Sequence, residues 1–218
     1  FRPKAFVFEN VTGMLSAKPG GKPVVNRIYK AFTDIGYTVL TPDKFKYAVF
    51  DAYCYSVPQH RERVILFGIR NDCRTSLSEF YDTMAAMNNS RTANVRDAIG
   101  TLPKIFPLEN IRKVKGRNLS HYATDESDPF HMPRHCSARD IIVIKTWISQ
   151  NMNSCSQQEA IDFYKKMTGK TTLYRKYRNL EWDKPSPTVV AHLQKDGFMF
   201  IHPDIEQARF ITIREAAM

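Results

Sequence analysis

The chain has 218 residues, 43 % of them hydrophobic, which suffices for one sizeable core and a smaller appendage. No apolar run reaches the roughly 18 residues that span a bilayer, and the opening Phe1-Arg2-Pro3-Lys4 carries no apolar signal core, so the sequence predicts a soluble, intracellular protein with no membrane partner. A formal net charge of +10, with Lys and Arg scattered along the chain, suits a polyanion such as nucleic acid, the alternative being a generally basic soluble protein.

Ala5-Phe6-Val7-Phe8, ending at Glu9-Asn10, has the pattern of a buried parallel strand with functional groups at its C-terminal end. Apolar residues at helical spacing (Ile28, Ala31, Phe32, Ile35) predict a helix over Asn26–Ile35, stopped by Gly36. Strands are expected at Tyr37–Leu40 and Lys46–Tyr53, and a central strand at Val64–Ile69. This order predicts the end of an α/β sheet. A helix follows at Leu77–Met87, ended by Asn88-Asn89-Ser90.

From Asn94 to Gly197 periodicity is weak, and basic residues (Lys113, Lys115, Arg117, Lys165, Lys166, Arg175, Lys176, Arg178) mix with turn formers and isolated aromatics. Helices are expected at Ser137–Asn151, with Ile141, Ile142, Ile144, Lys145 and Ile148 near one face, and at Gln157–Met167. The stretch is expected to form a second, smaller domain. The chain starts within a few residues of a strand and stops in what reads as a helix beginning near Thr212. It therefore has the character of a piece of something longer.

Cys54, Cys73, Cys136 and Cys155 form no Cys-x-x-Cys pair and read as reduced structural thiols. His131 to Cys136 has no second ligand pair, so no metal is expected. Two guanidiniums, Arg61 and Arg63, would project to one side of an extended chain before an apolar strand. They suit a substrate phosphate or carbonyl, or else a surface ion-pair network with Glu62 and a nearby Asp.

Taken in order, Phe8-Glu9-Asn10-Val11, then Val57-Pro58-Gln59-x-Arg61-x-Arg63 with Gly68-x-Arg70, resemble motifs of the DNA (cytosine-5) methyltransferase family. So do Asn94-Val95-Arg96-Asp97-Ala98-Ile99-Gly100-x-Leu102-Pro103, Trp182 through Val189, and Arg209 to Ala217. The resemblance covers almost the whole chain. It implies a partial Rossmann-like methyltransferase sheet in residues 1–93, a mixed α+β target-recognition domain in 94–200, and a return segment with the start of a helix in 201–218. It also implies duplex DNA as partner and a bacterial restriction-modification setting, cytoplasmic and nucleoid-associated.

In this family a cysteine thiolate adds to carbon 6 of a flipped-out cytosine, and an acid at N3 absorbs the developing charge. The resemblance makes Glu9 that acid, with a raised pKa against the base, and Arg63 the donor to O2. Arg61 would steady the site and Asn10 would hold the neighbouring loop. Gln59, Thr188, Val189 and Arg209 become candidate DNA contacts. The family's Pro-Cys dipeptide and any Gly-x-Gly turn do not occur in these residues. The S-adenosylmethionine site is therefore expected mostly outside this chain, in a missing N-terminal half, and the chain alone is expected to be inactive. A non-enzymatic DNA-binding module, one subunit of a split methyltransferase and an RNA-binding protein stand as alternatives.

Overall fold

The computed structural model describes residues 1–88, 93–114 and 116–218; Asn89, Ser90 and Lys115, assigned above to a helix end and to the basic content, lie outside the described residues. The chain divides into two compact units, Phe1–Ala93 and Asn94–Met218. No helix among the described residues is long and apolar enough to cross a membrane.

The first unit opens with β1 (Ala5–Asn10) and α1 (Val24–Asp34). Val24, Val25, Ile28 and Tyr29 turn α1 onto a core of Met14, Phe45, Ala48, Val64 and Leu66. Gly36 ends this element at φ +85, a left-handed conformation that a β-carbon disfavours. Only Tyr37–Thr38 of the next expected strand pairs, as β2, although Val39 remains buried.

The strand expected over Lys46–Tyr53 is corrected. Pro42–Ala48 is a 3₁₀ helix, β3 is only Val49–Asp51, and Ala52–Tyr55 is again 3₁₀. Phe45 and Ala48 are both 0 % exposed and stand three apart, the spacing that a three-residue turn brings to one edge.

β4 (Glu62–Arg70) is the central strand, pairing antiparallel with β1, β2 and β3. The expectation of a buried parallel β1 is thereby overturned: β1 is antiparallel to its neighbour, and Val7 is 59 % exposed. A short apolar run does not by itself encode strand direction. β1 and β2, joined through α1, do run the same way, but β4 lies between them. The unit is thus mixed α/β with antiparallel neighbours. At Gly68 the sheet comes so close to Phe6 that a β-carbon would sit 2.2 Å from the ring. α2 (Leu77–Met87) has the expected bounds and is capped by Ser76; its Phe80 stacks on Phe67 of β4 at 4.4 Å.

In the second unit α3 (Val95–Ile99) starts with a reciprocal cap between Asn94 and Asp97. The stretch read as aperiodic contains a hairpin of β5 (Ile105–Val114) and β6 (Arg117–Ala123) around Gly116 at φ +77. A register shift between Pro107 and Arg112 breaks the alternation that would have revealed it.

α4 (Ala138–Ser149) and α5 (Gln157–Thr168) lie where apolar spacing placed them, capped by Ser137 with Asp140 and Ser156 with Glu159. The inward face of α4 needs correction: Val143, Ile144 and Trp147 are buried and Ile142 is 59 % exposed. Trp147 anchors one core with Phe163 and Tyr177. A second core joins Val95 and Ile99 to Leu180, Phe200 and Ile211. The unit closes with α6 (Leu193–Asp196) and α7 (Ile213–Ala217). Val95 N–H donates to Lys184 O at 3.0 Å and Arg96 N–H to Trp182 O at 2.9 Å, which ties the first residues of this unit to a late segment of it.

Candidate functional site

β1 and β4 bring Glu9 and Arg63 together. The register sets Glu9 opposite Ile65, so Arg63, two residues before Ile65, is its diagonal neighbour on the same face. Arg63 Nε lies 2.8 Å from Glu9 Oε1, with the side chains 19 % and 55 % exposed. Arg63 also donates from Nη1 to the Glu62 carbonyl at 2.7 Å. Glu9 is therefore an open carboxylate balanced by a half-buried guanidinium. Asn10 points to the other face, and its Oδ1 accepts from Val11 N–H at 2.8 Å as the chain turns into the 3₁₀ helix Thr12–Leu15.

The segment carrying Gln59 and Arg61 is held by a residue that the sequence did not single out by number, Asp51. Its Oδ1 accepts from Arg61 N–H at 2.8 Å and Tyr53 N–H at 3.2 Å, while His60 Nδ1 lies 2.7 Å from Oδ2. A carboxylate only accepts, so His60 carries its proton on Nδ1. Burial opposes the charge on Asp51, but the bonds from His60, Arg61 and Tyr53 outweigh it and hold the carboxyl below its usual range. Ala52 N–H donates to Arg61 O at 3.1 Å, so the backbone of Arg61 is fixed on both sides. In place of the expected network with Glu62 and a nearby Asp, the Arg63 guanidinium pairs with the Glu9 carboxylate, while Asp51 binds the Arg61 backbone and the His60 ring.

Arg209 departs from the role expected of it. It is 0 % exposed, so its guanidinium faces inward. Nη1 and Nη2 each meet a Glu215 oxygen at 2.7 Å, and Nε and Nη2 meet Gln207 Oε1 at 3.1 and 2.8 Å. Glu215 also accepts from Thr212 N–H at 2.8 Å, capping α7. Burial opposes the charge on Glu215, yet the hydrogen bonds and charge of Arg209 hold its carboxyl below the ordinary value.

His202 Nε2 lies 3.6 Å from Glu215 Oε1, but burial pushes the imidazole down to about 3, so near neutral pH this contact is not an ion pair. His121, bonded to Gln207 O at 3.0 Å, is pushed down by burial to about 4. Thr188 is half-buried, and Val189 packs against the second core.

The cysteines are free, and Cys136 is fully buried, its thiol pushed up to about 12, the reverse of what a nucleophile needs. His131 is hydrogen-bonded to Pro103 O at 2.7 Å and to Thr212 Oγ1 at 3.2 Å. No cluster of three or more His, Cys, Asp or Glu among the described residues could hold a metal ion.

Comparison with known proteins bears on all of this. Residues 1–218 match the family model described as C-5 cytosine-specific DNA methylase. The chain is 34 % identical to the Type II methyltransferase M.Bpa9945I of Bacillus paralicheniformis, an alignment covering 100 % of this chain and 52 % of that protein. It is 28 % identical to the Type II methyltransferase M.DdeI of Desulfomicrobium norvegicum, with the same shares, 100 % and 52 %. Its fold is similar to a prophage-encoded E. coli protein described as a DNA modification methyltransferase, with a TM-score of 0.51 at 18 % identity, over 99 % of this chain and 58 % of that one. The chain thus spans about half the length of these curated relatives.

Proposed function

The chain belongs to the C-5 cytosine-specific DNA methylase family, and on that premise we propose that its first unit grips the target cytosine of DNA for methylation at carbon 5. The reading rests on one observation, the 2.8 Å pairing of Glu9 with Arg63 at an accessible strand end. On a cytosine ring N3 and the O2-bearing carbon are bonded neighbours. A carboxyl beside a guanidinium is complementary to that edge, Glu9 meeting N3 and Arg63 donating to O2. The target edge is out of reach inside a duplex, so the base must be swung out first.

Arg61 and Gln59 are proposed to steady the base or a neighbouring phosphate, on a backbone that Asp51 holds still. Asn10 keeps the loop after β1 in place through its bond to Val11. In the second unit, proposed as the target-recognition domain, Thr188 and Val189 are retained as candidate DNA contacts. Arg209 is reassigned to an internal strut.

S-adenosylmethionine supplies the methyl group in this family. These residues do not fit it alone: no Gly-x-Gly turn occurs among them. Donor and nucleophile are therefore assigned to segments other than these 218 residues, which contain no Pro-Cys.

The test is methyl transfer to duplex DNA by the full enzyme. Glu9→Gln is expected to lower the rate by roughly 10²- to 10⁴-fold, the usual contribution of a placed general acid. Undiminished transfer by that variant would remove Glu9 from the chemistry.

A further inference from the structure

The second unit has a concavity of about 470 Å³ bordered by the first turn of α4, the last turn of α5, residues 170–177 and residues 195–199. Its charge is lopsided. Arg139, Lys170, Lys176 and Lys195 stand on its walls, and Asp140 is the single acid among the described lining residues. That acid is already engaged, accepting from Ser137 N–H at 3.0 Å in the cap of α4. Arg175 also borders the hollow, but its guanidinium bonds the carbonyls of Met152, Asn153 and Cys155 and belongs to the core.

Among the described residues Lys170, Lys176 and Lys195 enter no salt bridge. Lys176 lies 4.4 Å over the ring of Tyr174, a contact that holds its ammonium in position, and Tyr174 is itself 60 % exposed. Unneutralised cations around one hollow repel each other until an anion enters between them. Lysine ammoniums are flexible point charges without the planar fork that reads base edges. Such a set suits phosphates, whose contacts fix position without reading sequence.

We propose that this concavity is a phosphodiester clamp, in which Lys170, Lys176 and Lys195 hold the backbone of duplex DNA independently of its sequence. The proposal rests on the DNA reading given above. It extends that reading to a surface to which none of the family-like motifs contributes a lining residue.

The experiment measures binding of the full chain to a short duplex over a range of salt concentrations. Each phosphate neutralised contributes about 0.9 to the slope of log K against log salt. The triple variant Lys170→Gln, Lys176→Gln, Lys195→Gln is expected to flatten the slope by about 2.7 and to weaken binding equally on unrelated duplexes. The matching triple change to Arg is expected to keep the wild-type slope. A Gln triple variant with unchanged slope, beside a wild type that binds, overturns the clamp and leaves the DNA reading standing. A wild type that ignores duplex DNA overturns both. Tighter binding to single-stranded RNA, or displacement of the duplex by inorganic phosphate at matched ionic strength, also overturns the clamp.

Discussion

Two arginine–glutamate pairs in this chain have similar lengths and opposite circumstances. Arg63 meets Glu9 through one 2.8 Å contact, and the acid is 55 % exposed. Arg209 meets Glu215 through two 2.7 Å contacts, and both side chains are 1 % exposed. In the first, either partner can turn to an incoming group, because water already solvates the acid. In the second, each charge is tolerated only because the other, with Gln207 and Thr212, satisfies it. An exposed pair is a resource for binding, and a buried one is a fastening.

The comparison breaks most visibly at the buried pair. Glu215→Ala leaves the Arg209 guanidinium buried without its counter-charge and removes one half of the reciprocal cap of α7, the bond from Thr212 N–H. The expected loss is about 3–5 kcal/mol in denaturant unfolding. Arg209→Met combined with Glu215→Leu should recover most of that loss, since a well-packed apolar pair replaces a buried ion pair at little cost. A loss below 1 kcal/mol for Glu215→Ala would show that water reaches the pair.

The next effect comes from the histidines near this pair. In the unfolded chain they take up protons below about 6.5, whereas the folded protein keeps His121 and His202 neutral down to about 4 and about 3. Between those limits the unfolded state binds more protons. Stability that is complete above pH 6.5 therefore declines as pH falls, by about 1.4 kcal/mol per pH unit for each histidine. Unfolding free energies at pH 7.5 and pH 5 measure this, and a flat profile would contradict their burial.

The smallest effect belongs to the exposed pair. Glu9→Gln should change stability by less than about 1 kcal/mol, as exposed ion pairs do, although the same variant is expected to lose most methyl transfer. Thermal unfolding of wild type and variant, read beside the transfer assay, separates the two properties. A large stability loss would make Glu9 a structural residue.

Much of this was legible in the amino-acid sequence, for identifiable reasons. Isoleucines near one face marked α4, while the reciprocal caps of Ser137 with Asp140 and Ser156 with Glu159 that start α4 and α5 went unread. The unbroken run Val64–Ile69 marked β4. Lys46–Tyr53 misled because its interleaved apolar residues also fit a strand, whereas the buried pair Phe45 and Ala48, three apart, fits the 3₁₀ turn that forms. The hairpin β5–β6 was hidden by its register shift.

At the site, Glu9 and Arg63 were found through motif resemblance, but their contact depends on strand register, which neither residue carries alone. Asp51 escaped because two of its three partners are backbone N–H groups, and these leave no mark on residue identity. Arg209 was misjudged since an arginine letter is the same inside and outside. The Thr212-x-x-Glu215 pattern did contain its partner, as a helix cap three residues after Arg209.

The two backbone bonds that join Val95 and Arg96 to Lys184 and Trp182 have a consequence for how such proteins diversify. They clasp the two ends of a long excursion at one point, 3.0 and 2.9 Å apart donor to acceptor. With the clasp shut, lengthening the excursion adds only about 0.6 kcal/mol of closure entropy per doubling. Between Ile99 and Leu180, which belong to the neighbouring core, added length therefore costs little while the clasp holds.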